Sequence, residues 1–127
     1  DLSTGIINWI SQINSILSPI LIDDYILTVS DTGHLFTIQK KAGNIIRIND
    51  IYKNYDTKKR KNLKPTGFMV GQNKLYLSNS DGKLIVIEVN SGKLSEIKKV
   101  SRNLISKPYF NNGYLFVVKN GSVIQYD

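Results

Sequence analysis

Residues 25–43, YILTVSDTGHLFTIQKKAG, decide the fold, because residues 74–92, KLYLSNSDGKLIVIEVNSG, repeat their pattern. Each stretch contains two apolar runs around a polar turn and closes at a second glycine. Turn glycine and closing glycine are 10 residues apart in both stretches, as Gly33 and Gly43 and as Gly82 and Gly92. Glycine supplies the positive φ of a tight hairpin turn. The repeat therefore predicts two copies of one antiparallel β unit.

A longer period extends this repeat over the whole chain. Pro19, Pro65 and Pro108 open equivalent stretches and lie 46 and 43 residues apart. Four-stranded propeller blades have repeats of about 40 to 50 residues. The apolar runs at residues 84–87 and 115–118 do not alternate with polar residues, which indicates strands buried on both faces between stacked blades. The predicted fold class is all-β, a β-propeller fragment of about three four-stranded antiparallel blades.

The repeat also predicts the division of the chain. Residues 1–13 are assigned to the outer strand of a preceding blade, 18–62 and 63–104 to complete blades, and 106–127 to an incomplete last blade, which makes twelve strands. A helix is the alternative at the start, because several apolar residues have helical spacing there: Ile6, Trp9, Ile10, Ile13, Leu17 and Ile20. Pro19 and the intervening polar pairs weaken that alternative.

Three blades are fewer than the four to eight that close a propeller. We therefore expect either the C-terminal part of a longer propeller or a ring completed by copies of this chain. The chain has 127 residues, 41% hydrophobic and 21% charged, which is typical of a globular domain. No apolar stretch approaches the roughly 20 residues of a membrane span. The sequence opens at Asp1 without an apolar leader, so an export signal is expected to be removed or to lie outside it.

The net charge of +7 comes from 17 basic and 10 acidic residues, and it favours contact with anionic surfaces. Lys58, Lys59, Arg60 and Lys61 form the densest basic run, within the polar connection at residues 50–64. A solvated loop is the simpler interpretation, and a partner-binding surface is the functional one. Tyr52 and Tyr55 beside the run would suit stacking on nucleobases, but the connection has no sheet platform.

No catalytic, cofactor-binding or metal site is predicted. The only histidine, His34, follows a hairpin turn, and the absence of cysteine excludes thiolate ligands. Asp31, Asp81 and Asp127 lack calcium-loop spacing, and the first two are explained by their turns. Two further sets have simple structural explanations: Gly71, Gly82, Gly92 and Gly121 as turn residues, and Tyr25, Tyr76 and Tyr114 as packing or blade-surface residues that recur in register.

Asp1-Leu2-Ser3-Thr4-Gly5 followed by Trp9 resembles the Asp-x-x-Thr-Gly-x-x-x-Trp signature of the pyrroloquinoline-quinone-like (PQQ-like) β-propeller repeat family. The later repeats keep the turn glycine, but Arg47 and Glu96 stand where the tryptophan is expected. The resemblance covers nearly the whole chain.

Two branches of that family have different implications. Quinone-dependent dehydrogenases hold a quinone and a calcium ion, and a fragment of such an enzyme is the alternative prediction. The non-enzymatic, BamB-like branch binds no cofactor and serves as a scaffold in outer-membrane protein assembly. The degenerate docking positions favour this second branch. The resemblance then implies a periplasmic or exported scaffold, with an outer-membrane anchor in the full-length protein. Its expected protein partner is membrane-associated assembly machinery. Nucleic acid is a less favoured partner, suggested only by the +7 charge.

Overall fold

The computed structural model describes residues 2–103 and 105–127, and in this part of the chain eleven strands form three antiparallel sheets. The sheets, in chain order, contain β1 (Ile20–Ile22), β2 (Tyr25–Val29), β3 (His34–Gln39) and β4 (Ile45–Asp50); then β5 (Pro65–Gly71), β6 (Lys74–Asn79), β7 (Lys83–Glu88) and β8 (Leu94–Lys99); then β9 (Tyr109–Asn111), β10 (Tyr114–Lys119) and β11 (Ser122–Tyr126). One short helix, α1 (Thr57–Arg60), lies between β4 and β5. The predicted class, an all-β propeller fragment, is confirmed.

The first two sheets repeat each other in register as well as in order. Leu35 pairs with Asn49 in the first sheet, and Leu84 pairs with Lys98 at the equivalent position of the second. The outer strands β4 and β8 each contain a bulge, opposite Thr37/Ile38 and opposite Val86/Ile87. The two bulges lie at the same distance from the hairpin glycines Gly33 and Gly82. A bulge adds one residue to one strand of a pair. The pairing of the two outer strands therefore repeats even where the side chains differ.

Two apolar clusters join the three sheets. The first contains residues of the first two sheets, among them Leu27, Leu35 and Phe68. The second joins the second sheet to the third through Leu84, Leu115 and neighbouring residues. β7 contributes to both clusters, and each of its residues from 84 to 87 is at most 2% exposed. Burial of β7 on both faces, predicted from its continuous apolar run, is confirmed.

The same prediction is wrong for one face of β10. Leu115 and Val117 are buried, but Tyr114 and Val118 are each 43% exposed. The described residues place no further sheet against this side of the third sheet. A continuous apolar run predicts burial on both faces only where a neighbour covers both.

The start of the chain differs from both alternatives predicted for it. Residues 2–19 form neither a strand nor a helix, so the described chain has eleven strands rather than twelve. Isolated hydrogen bonds hold the segment instead: Trp9 Nε1 donates to Lys40 O at 2.8 Å, and Ser11 Oγ donates to Gly43 O at 3.1 Å. A strand requires an adjacent strand for its ladder, and none of the described strands pairs with this segment. Asp1, the first signature residue, lies outside them.

Candidate functional site

The connection between the first two sheets, residues 50–64, is more ordered than its polar composition suggests. It contains α1, whose first turn is capped by Asp56: Lys59 N donates to Asp56 Oδ1 at 2.8 Å. Aspartate is a preferred capping residue because its side chain accepts from an otherwise unbonded backbone N–H. The predicted basic run therefore lies on a helical turn with a defined orientation.

Arg60 binds within the protein and is therefore not a free contact residue. Its Nη1 and Nη2 atoms donate to the two carboxylate oxygens of Asp50, both at 2.7 Å, and this paired geometry is the strong form of an arginine–carboxylate contact. Burial by itself raises the pKa of Asp50, but the hydrogen bonds and charge of Arg60 outweigh it and hold this pKa below its ordinary value. The ion pair fastens α1 to the end of β4.

Tyr52 and Tyr55 fix the inner side of the connection. Tyr52 is fully buried, its hydroxyl donates to Asn79 Oδ1, and its ring lies where a Cβ on Gly33 would be. Tyr55 meets it edge to face, with ring centroids 5.6 Å apart. Burial, followed by the charge of Asp81, raises the pKa of Tyr55 to about 12, and burial raises the pKa of Tyr52 further. Tyr52 is therefore inaccessible to a nucleobase, contrary to the stacking alternative.

A basic depression of about 810 Å³ lies beside this connection. Lys58 and Lys59 line it together with three cationic side chains from elsewhere, Lys83, Lys99 and Arg102. Two carboxylates also line it, those of Asp56 and Asp81. Lys61 is exposed at the end of α1 and does not line the depression. We call this surface the basic depression; it contains five basic and two acidic side chains.

Sequence reasoning found Lys58 and Lys59 but missed the three other cations. Lys83 opens β7 and Lys99 closes β8, and these two residues are partners in the ladder. The pairing of Lys83 with Lys99 could be predicted from the sequence, since the repeat fixes the register of the outer strand against the strand beside it. Lys83 also lies 5.6 Å above the Tyr55 ring and 4.0 Å from Asp81. Arg102 follows β8 in an irregular segment, and no sequence signal places it there.

The other predicted positions do not assemble into a site. His34 is partly buried, and its Nδ1 lies 2.9 Å from Thr32 Oγ1 of the same hairpin. Within residues 2–103 and 105–127, no group of three or more His, Cys, Asp or Glu side chains could hold a metal ion. Tyr76 stacks on Phe110 across the second and third sheets with centroids 5.8 Å apart, whereas Tyr25 and Tyr114 are exposed. No helix of the described residues is long and apolar enough to cross a membrane.

The fold defines this chain as a set of propeller blades, and solved structures show which propellers it resembles. BamB from Moraxella catarrhalis superposes with a TM-score of 0.71 at 15% identity, over 98% of this chain and 36% of that protein. A quinohemoprotein alcohol dehydrogenase from Pseudomonas putida gives 0.67 at 19% identity, over 87% of this chain and 18% of the other. The corresponding enzyme from Comamonas testosteroni gives 0.62 at 18% identity, over 84% and 17%. No family model and no curated protein matches the sequence.

These likenesses show a β-propeller fold and nothing beyond it. The chain spans about a third of the length of the BamB structure, at 15% identity. The site that dehydrogenases imply needs an aspartate base and a set of acidic and amide ligands around calcium. Among the described residues, no group of three or more His, Cys, Asp or Glu side chains is placed to provide such a ligand set.

Proposed function

We propose that this chain is part of a non-catalytic PQQ-like propeller scaffold that binds a protein partner through the basic depression. The observation that carries the proposal is the convergence of five basic side chains on one surface: Lys58, Lys59, Lys83, Lys99 and Arg102. Export to the periplasm and a role in outer-membrane protein assembly belong to this proposal. They are supported by the resemblance to the BamB-like branch and by the BamB neighbour.

The electrostatics of the depression determine what kind of recognition it supports. Individual exposed ion pairs contribute only about 0.2 to 1 kcal/mol each, so no single lysine dominates the affinity. Five cations around two carboxylates still produce a positive field that attracts an acidic surface. Such a field mainly accelerates association and selects partners by charge, and salt weakens it.

A protein partner is favoured over nucleic acid by the composition of the same surface. Asp56 and Asp81 lie among the cations and would repel successive phosphates. Single-strand binders combine cations with exposed aromatic rings, but Tyr52 is fully buried and Tyr55 is partly buried. A protein can offer both carboxylates and cations to this mixed surface.

Charge reversal tests the proposal. The double variant Lys58→Glu/Lys59→Glu should weaken binding of a fluorescent Asp/Glu-rich peptide at least about tenfold at low salt, measured by anisotropy. Its matched control is Lys40→Glu/Lys41→Glu, which makes the same charge change on an exposed turn away from the depression. Equal weakening by both variants would show that net charge alone matters. Tighter binding of a DNA oligonucleotide than of the peptide would favour the nucleic-acid alternative.

The uncovered side of the third sheet requires further blades, which we propose come from a longer propeller or from a second copy of this chain. Tyr109, Tyr114, Val118 and Val123 are exposed there, and β11 has no outer partner strand among the described residues. Light scattering of the 127-residue chain separates the two sources. A discrete dimer would indicate six blades from two copies, and a monomer would indicate a longer propeller.

The likeness to quinohemoprotein dehydrogenases supports a second candidate, a fragment of such an enzyme. Dye reduction with an alcohol, added quinone and calcium tests it. We expect no activity above the protein-free control, since no group of three or more His, Cys, Asp or Glu side chains among the described residues is placed to provide the ligand set.

A further inference from the structure

The third sheet exposes a pair of residues that the other two sheets bury completely. Val118 of β10 and Val123 of β11 are partners in the ladder, and Val123 lies two residues after its hairpin glycine. The equivalent ladder partners in the first two sheets are Val29 with Leu35, and Ser78 with Leu84. All four equivalents are 0% exposed, whereas Val118 is 43% and Val123 is 71% exposed. The third sheet therefore lacks a cover that the other two sheets have.

The strand β11 also lacks the outer strand of a complete blade. β3 pairs with β4 and β7 pairs with β8, but among the described residues β11 pairs only with β10. The free N–H and C=O groups of an edge strand can pair with another strand, and charged side chains commonly block such an edge. β11 has the sequence SVIQY and contains no charged residue. Its edge is therefore open to the addition of a strand.

Residues 7–12 have the repeat position and the preceding turn of an outer strand. They begin two residues after Gly5, just as β4 begins two residues after Gly43 and β8 two residues after Gly92. The three glycines share one backbone conformation, with φ values of +70°, +76° and +70°. Ile7 and Ile10 are 71% and 74% exposed, and none of the described strands pairs with this segment. The segment is therefore an outer strand that lacks the rest of its blade.

Trp9 already holds residues 7–12 where the outer strand of a preceding blade would lie. Trp9 Nε1 donates to Lys40 O of the first sheet's turn. Arg47, its equivalent in β4, donates through Nη2 to Val89 O. Both carbonyls lie three residues before the turn glycine of the next blade. Trp9 and Arg47 are therefore equivalent docking side chains, each joining an outer strand to the blade that follows it.

We propose that residues 7–12 of a second copy of this chain add to β11 as its outer strand. Because Trp9 holds that segment to the first sheet, the same contact places the first sheet of the second copy against the uncovered face of the third sheet. Each copy then contributes three complete blades, and two reciprocal contacts close a ring of six, within the four to eight blades of closed propellers.

The register of this contact follows from the complete blades. Leu35 of β3 pairs with Asn49 of β4, so Val123 should pair with Ser11 of the second copy. The proposal rests on the scaffold proposed above and selects the second copy as the source of the missing blades. It can fail while the basic depression still binds its peptide, because that binding is measured separately.

Cysteine crosslinking tests the register, since the chain has no cysteine of its own. Ser11→Cys and Val123→Cys, made in separate 127-residue chains and mixed under mild oxidation, should give a disulfide-linked dimer on non-reducing electrophoresis. Facing residues of an antiparallel pair have Cα atoms about 4.5 to 5.5 Å apart, which a disulfide can span. Ile124→Cys mixed with Ser11→Cys is the matched control and should link at least about tenfold less, because adjacent residues of a strand point to opposite faces. Equal linking in both mixtures, or none with Val123→Cys, would overturn the proposal.

Solution mass gives a second readout by light scattering. The wild-type chain should be a dimer, and Val123→Asp should raise the dissociation constant at least about tenfold, because the contact would bury the new carboxylate. Val123 is 71% exposed in the single chain, so this variant should still fold. Ile46→Asp is the control: it makes the same change at an exposed residue of β4 and should leave the dimer intact. A wild-type monomer, or a dimer that Val123→Asp leaves unchanged, would refute the assigned contact.

Discussion

The connection at residues 50–64 has an anchored part and an exposed part, although its sequence reads as one basic loop. In the anchored part, Tyr52 is buried against the hairpin of Gly33 and Arg60 is paired with Asp50. In the exposed part, Lys58 and Lys59 line the basic depression. Neighbouring basic residues can therefore differ in role: Arg60 is held in an ion pair, whereas Lys58 and Lys59 remain exposed. The difference arises because a carboxylate of the first sheet is within reach of Arg60.

The largest effect should come from truncating the anchored part. Tyr52→Ala removes a fully buried ring from the first apolar cluster and should lower the free energy of unfolding by about 3 to 5 kcal/mol. Chemical denaturation followed by circular dichroism measures this. Lys58→Ala is the matched control in the exposed part, with an expected change within about 0.5 kcal/mol. Similar losses for both variants would remove the distinction between the two parts.

Within the anchored part, loss of the Tyr52 hydroxyl and loss of the Tyr55 hydroxyl should affect stability differently. Tyr52→Phe leaves the buried Asn79 Oδ1 without this donor and should cost about 1 to 3 kcal/mol. Tyr55→Phe should be neutral or stabilising, since the Tyr55 hydroxyl is buried and has no hydrogen-bond partner within residues 2–103 and 105–127. Thermal unfolding of the two variants side by side tests this order. A larger loss for Tyr55→Phe would mean that its hydroxyl has a water partner.

A smaller effect is expected from acid, through the Asp50–Arg60 pair. The pKa of Asp50 is lowered in the folded protein from an ordinary value of 3.8, so its stabilisation is present above that value and is lost as pH falls through the lowered pKa. Asp50→Asn should be less stable than the wild type at neutral pH, and the difference should shrink below about pH 4. Urea midpoints across this range measure it. A constant difference would contradict the assignment, because an uncharged asparagine cannot titrate.

The smallest effect on stability should come from the exposed part itself. Lys58→Glu/Lys59→Glu should change the unfolding free energy by no more than about 0.5 kcal/mol, because both side chains are exposed. Differential scanning calorimetry provides the check. Marked destabilisation would indicate contacts of these lysines that hold α1 in place.

Features set by local chemistry could be predicted from the sequence. The hairpin glycines and the continuous apolar run of β7 depend on neighbouring residues, and the structure has positive φ at Gly33 and Gly82 and buries β7 as expected. The prediction is wrong for Gly71, which ends β5 without a positive φ instead of lying in a turn. The strand predicted within residues 1–13 failed because a ladder needs a partner from another part of the chain. The basic depression was predicted only in part, since Lys83, Lys99 and Arg102 reach it through the register of distant strands. Arg47 was visible as a departure from the signature, but its docking bond to Val89 O was not.

The bulges shared by β4 and β8 have a consequence for how this repeat can change in length. At each bulge one residue, Ile46 or Ser95, has no partner on the middle strand. Removing that residue would straighten the strand while leaving the pairing on both sides intact. A deletion anywhere else in the strand would turn its remaining side chains to the opposite face. Ile46 and Ser95 are therefore positions at which the outer strand of a blade can lose a residue without moving its turn glycine or its docking side chain.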